Sequence, residues 1–165
     1  MPHHDIEPGE QPRRRVGCMT LITNQNGDVL TVQTTYRSKP TLPGGAAHQD
    51  EKLADAATRE LAEETGLRRR LAQILAVDQT PPNARTGATE GLNVVFDGGT
   101  LTPEEEAALS IPAKAHAEIE ALVWVAPTDL DEKCDPYQAR RIKHALAARE
   151  FDQALPALFR GELAA

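Results

Sequence analysis

Residues 52–67, KLADAATRELAEETGL, read as one helix stopped by Gly66, and this helix carries acids where its buried side should be. At about 100° per residue, Leu53, Ala56, Ala57 and Leu61 gather on one side, the stripe a helix ordinarily turns to the core. Glu60, Glu63 and Glu64 fill an arc of about 100° that overlaps this stripe. They stand at i, i+3 and i+4, so their side chains are neighbours. Close carboxylates repel one another, and partial burial raises the cost. Such a cluster calls for positive charge, from basic side chains or from a cation. Within the segment only Lys52 and Arg59 are basic, and both are placed on the opposite side of the helix. A hard, oxygen-seeking ion such as Mg²⁺ or Mn²⁺ is the better match to an all-carboxylate set. The competing reading is a solvated acidic patch where the helix runs past the core.

The rest of the chain supplies strands for this helix to pack on. Val16 to Thr23 and Val29 to Thr35 read as two strands joined through Asn26-Gly27, a strong hairpin signal. Two prolines punctuate the loop Arg37 to Pro43, and Gly44-Gly45 follows. Leu71 to Asp78, Leu92 to Phe96 and Ala121 to Ala126 read as further strands. The polar segment Gln79 to Gly91 reads as a long loop. Thr102-Pro103-Glu104-Glu105 carries the pattern of a capped helix start, and Asp135-Pro136-Tyr137-Gln138 is expected to open the last helix in the same way. Strands and helices mix without regular βαβ alternation, so the class is α+β.

Composition narrows the function. A chain of 165 residues with 40% apolar and 26% charged residues suits one globular domain, taken as 15–165 after a disordered tail over 1–14. No apolar run approaches the roughly 20 residues that span a bilayer, and the N-terminus lacks a signal-like apolar stretch, so a cytoplasmic address is expected. The net charge of −7 argues against a nucleic-acid partner. Cys18 and Cys134 are far apart and form no metal or disulfide framework.

The segment from Gly45 onward resembles the signature of the Nudix hydrolases: Gly, five residues, Glu, seven residues, Arg-Glu, an aliphatic, any residue, Glu-Glu, any residue, Gly, an aliphatic. Gly45, Glu51, Arg59-Glu60-Leu61, Glu63-Glu64 and Gly66-Leu67 fill every defined position. A chance match in a chain this long is on the order of 10⁻⁷ from average composition. Leu42-Pro43-Gly44 looks like the usual lead-in, although Thr41 stands where many members place a tryptophan.

The resemblance implies a mixed sheet sandwiched between helices. It implies hydrolysis of a nucleoside diphosphate linked to another group X, the whole substrate being either a nucleoside triphosphate or a nucleotide sugar such as ADP-ribose. It further implies that Glu60, Glu63 and Glu64 are catalytic and bind Mg²⁺, or Mn²⁺ in its place, with the Gly44 carbonyl. Glu60 or Glu63 then serves as base. Glu51 and Arg59 brace the loop, Gly45 and Gly66 shape it, and Glu118, ahead of Glu120, adds a ligand. Tyr36 and Arg37 are candidates to touch substrate. Pro82, fifteen residues past Leu67, has a spacing resembling that of some ADP-ribose pyrophosphatases. Two alternatives within the resemblance are a nucleotide-sensing module without turnover and an isoprenoid diphosphate isomerase, which would need a cysteine in the pocket. Homodimers are common among such proteins, and the Leu- and Phe-bearing tail from Phe151 offers a surface for one.

Overall fold

A computed structural model describes residues 13–85 and 87–164; most of the expected N-terminal tail lies outside them. The chain runs β1 (Arg15–Thr23), β2 (Val29–Thr34), β3 (Gly44–Ala46), α1 (Leu53–Thr65), β4 (Gln73–Thr80), β5 (Gly91–Thr100), α2 (Pro103–Ala107), β6 (Ile119–Val125), α3 (Leu130–Lys133), α4 (Pro136–Glu150) and β7 (Leu155–Pro156). A small hairpin, β8 (Leu158–Phe159) with β9 (Glu162–Leu163), ends the chain.

The main sheet has the order β6-β2-β1-β5-β4-β7, with β3 added against β1. Among the described residues only β1 and β5 pair in parallel. The Asn-Gly hairpin forms as read: Asn24 Oδ1 accepts the backbone N–H groups of Asn26 and Asp28, and Gly27 takes φ 84°. Beyond the turn the two strands separate. Thr23 pairs with Val29, and β3 then occupies the edge of β1 that a simple hairpin would give to β2.

Alternation along β1 and β5 builds a core on each face of the sheet. Cys18, Val94 and Phe96 meet Ala54, Ala56 and Ala57 of α1, whereas Leu21 and Val95 meet Ala139, Ile142 and Ala145 of α4. The sheet is therefore sandwiched between helices, as expected.

Two local readings are corrected. Leu53 is 36% exposed and Ala54 takes its place in the core, because α1 meets the sheet through its alanines and Leu53 opens the first turn. Asp135 makes no side-chain cap to α4. Gln138, the expected partner in that cap, instead accepts from Arg141 and donates to Tyr137. The Thr102 capping box forms in full. The C-terminal segment folds back through β7 onto β4, leaving Leu155, Leu158, Phe159 and Leu163 exposed.

Candidate active site

Gly44 and Gly45 are fixed by contact rather than by flexibility. Gly44 has φ 146°, and a Cβ there would lie 2.2 Å from the Cys18 carbonyl oxygen, because β3 runs tight against β1. At Gly45 a Cβ would stand 2.5 Å from the Glu60 carboxyl. The carboxylate of Glu60 thus occupies the space that a side chain at Gly45 would need. Gly66, at φ 73°, ends α1 in the left-handed conformation and donates its N–H to the Ala62 carbonyl.

Arg59 is the main correction to the helical-wheel reading. It stands at i, i+4 to Glu63, and its long side chain folds over the acidic face instead of pointing away. Its Nε and Nη2 donate to the two oxygens of Glu51 at 2.8 and 2.9 Å. Its Nη1 donates to Glu60 at 2.7 Å and to Glu63 at 3.2 Å, and Nη2 also reaches the Ala46 carbonyl. One guanidinium ties loop to helix and balances part of the carboxylate charge. Lys52 lies elsewhere, over the Phe159 ring.

The three box glutamates differ in setting. Glu60 is 16% exposed and Glu63 is 61% exposed. Glu64 is half-buried and accepts the Gly44 N–H at 2.7 Å. Burial raises the Glu64 carboxyl to about 8; the Gly44 N–H opposes this, and the charges of Glu60, Glu118 and Glu63 add to it. The field of Glu118 therefore reaches this carboxylate, from the end of a 3₁₀ turn over Ala113–Ala117.

Among the described residues no three His, Cys, Asp or Glu side chains stand in a ready-made ligand arrangement. The donor chemistry nonetheless fits a hard divalent cation. It is all oxygen, and burial and like charge disfavour the anionic form of Glu64, which a bound cation would restore.

Glu51 behaves oppositely. The Arg59 hydrogen bonds lower it to about 2, against burial and with help from the His48 N–H. An ordinary glutamate in the unfolded chain titrates near 4.3, so this group favours the fold above that value and loses its effect as pH falls toward 2. Urea melts from pH 6 to 3 should therefore show a drop in stability that Glu51→Gln flattens.

A cleft of about 850 Å³ opens beside the box, on the α4 side of the sheet. Glu64 and Gly44 stand at its head, and Tyr36, Arg37 and Tyr137 line it, with Arg37 Nη1 3.4 Å from the Tyr137 hydroxyl. Both substrate candidates named from the sequence therefore face the cleft. Pro81, rather than Pro82, is the proline of its wall. Thr34 also lines it, and its buried hydroxyl has no partner among the described residues.

Sequence reading missed the far end of the cleft. There Arg141, its side chain 2% exposed, donates through Nε and Nη2 to Asp78 Oδ2 at 2.8 and 2.6 Å. Its Nη1 donates to Gln138 at 3.1 Å. Arg15 donates to Asn93 Oδ1 nearby. The only signal in the sequence was Arg141 in the apolar stripe of the last helix. The two thiols are fully buried, and burial, with Glu51 and Glu60 next, pushes Cys18 up to about 11.

Comparison with known proteins agrees with this fold. A "MutT protein" structure from Methanosarcina mazei Go1 superposes with a TM-score of 0.68 at 22% identity, covering 85% of this chain and 98% of that one. The NUDIX domain of Shewanella oneidensis NrtR, complexed with ADP ribose, superposes with a TM-score of 0.67 at 18% identity over 88% and 94% of the chains. At this identity both show the fold alone. A diphosphoinositol polyphosphate phosphohydrolase 2 from Rattus norvegicus is 30% identical over 66 residues, 39% of this chain and 37% of that protein. The chain thus matches little more than a third of that relative's length. The NUDIX domain model matches residues 11–146, and with the box complete and folded as described, the chain belongs to the Nudix family.

Proposed function

We propose that the protein is a divalent-cation-dependent pyrophosphohydrolase acting on a nucleoside diphosphate linked to a further group. One observation carries the reading: Glu64, one of a complete set of box carboxylates, lines the head of a cleft whose wall also bears Arg15, Arg37, Arg140 and Arg141. In a chain of net charge −7 this local excess of arginine favours a phosphorylated ligand. The ADP ribose in the Shewanella complex is in keeping with that substrate class.

Glu60, Glu63 and Glu64 would hold Mg²⁺, or Mn²⁺, with the Gly44 carbonyl, and Glu118 is in electrostatic reach to join them. The cation would neutralise phosphate charge and acidify water. Glu63 is assigned the proton acceptor. Its carboxylate is largely exposed and held by one 3.2 Å bond, whereas Glu60 is tied to Arg59 at 2.7 Å and Glu64 to Gly44. Glu51 and Arg59 keep the loop at its distance from the helix. Isomerase chemistry is disfavoured, because neither cysteine is among the described residues lining the cleft.

The test is phosphate release, coupled to phosphatase, from a panel of nucleoside triphosphates, ADP-ribose and other nucleotide sugars, with Mg²⁺ or Mn²⁺. Turnover of one class should fall by on the order of 10²-fold or more in Glu63→Gln. Ligand-induced thermal stabilisation without any turnover would replace this reading with a sensing module.

A further inference from the structure

The register of the sheet sets the length of the cleft floor. Ala46 pairs with Gly17, Gly17 with Asn93, and Asn93 with Asp78. These four residues form a row across β3, β1, β5 and β4. At about 4.8 Å per strand, Asp78 stands roughly 14 Å from the box loop. Gly17 keeps the row open, since a Cβ there would meet Asn93 Oδ1 at 2.7 Å. A nucleotide with its diphosphate at Glu64 and Gly44 would lay its nucleoside along this row, with the base toward Asp78.

The contacts of Asp78 engage only one of its carboxylate oxygens. Both bonds from Arg141 fall on Oδ2. Oδ1 accepts no hydrogen bond from the described residues, and the side chain is 37% exposed in the cleft wall. Arg141 is in turn fixed by Gln138 and lies 5.5 Å from the Tyr137 ring centroid. A carboxylate clamped through one oxygen, with the other facing a cleft, is an oriented acceptor for a ligand N–H.

Resting on the pyrophosphohydrolase reading, we propose that Asp78 Oδ1 is the specificity-determining acceptor for an exocyclic amino group of the nucleobase, with Arg141 as its positioning residue. The protein then prefers amino-bearing bases to counterparts that carry a carbonyl or hydrogen there. A carboxylate facing a carbonyl oxygen is repelled, and one left without a donor stays desolvated and unpaired.

The experiment compares ATP with ITP, GTP with ITP, and CTP with UTP, or the matching bases in whichever nucleotide class is turned over. At least one pair should differ by roughly 10- to 100-fold in kcat/KM. Asp78→Asn keeps an oxygen for Arg141 and turns an NH₂ group to the cleft, so it should erase or invert that ratio. Thermal stabilisation of the wild-type protein by the same pairs is read in parallel. Ratios within twofold for every pair in both measurements would overturn the proposal while leaving hydrolysis intact. So would a ratio that survives in Asp78→Asn. Absence of turnover would count against the hydrolase reading, and the stabilisation ratios would still decide this one. Should Asp78→Asn fail to fold, the wild-type ratios decide it alone.

Discussion

Glu64→Gln should lower metal-dependent turnover by about 10²-fold or more, and the same variant should melt at a higher temperature than wild type in chelator. Both effects come from one side chain. Glu64 is half-buried among Glu60, Glu63 and Glu118, and without a cation its charge is opposed by burial and by its neighbours. Glutamine keeps an oxygen for the Gly44 N–H and removes that charge. The gain in melting temperature should be about 2–4 °C for each kcal/mol of repulsion relieved. Adding Mg²⁺ should stabilise wild type strongly and the variant little, since the variant would lack one of the proposed anionic ligands. Thermal melts with and without Mg²⁺, beside one activity assay, check all of this. An unchanged melting temperature in chelator would show that the repulsion is screened.

Gly44→Ala has the largest expected effect on the fold. The methyl would need to occupy space 2.2 Å from the Cys18 carbonyl oxygen, at a backbone angle of 146° that side chains rarely adopt. Strain and overpacking together should cost about 3 kcal/mol or more. For a chain of this size that is roughly a 6–12 °C loss in melting temperature. The substitution should also pull β3 from β1 and so separate the Gly44 N–H from Glu64. A calorimetric melt near that of wild type would show that β3 can shift at little cost.

What could be read from the sequence was what is local in it. The box is a run of 23 residues, Gly45 to Leu67, whose spacing alone identifies the family, and the structure folds it as a loop and a helix. The Asn-Gly turn and the Thr102 cap are equally short-range. Where a side chain ends was less legible. The wheel sent Arg59 away from the acids, although a position four residues before Glu63 with a long flexible stem brings the guanidinium onto them. The far end of the cleft was scarcely legible, since Arg141 in the apolar stripe of the last helix was its one local sign. Asp78 and Arg141 meet across 63 positions of chain, and Asp78 and Asn93 come together only through strand register. No pattern within a single element announces such a meeting.

The alanine face of α1 ties the chemistry to the packing. Ala54, Ala56 and Ala57 are the residues through which this helix rests on Cys18, Val94 and Phe96. Side chains that short let the helix axis come close to the sheet, and at that distance the Glu60 carboxyl fits against Gly45 and Glu64 reaches the Gly44 N–H. Growth at any of the three alanines would therefore act as a lever, lifting every acidic group from β3 together while leaving each of them chemically intact. Inactivating substitutions need not lie in the acidic row; some of the most damaging can be methyl groups added at the alanines that seat α1 on the sheet.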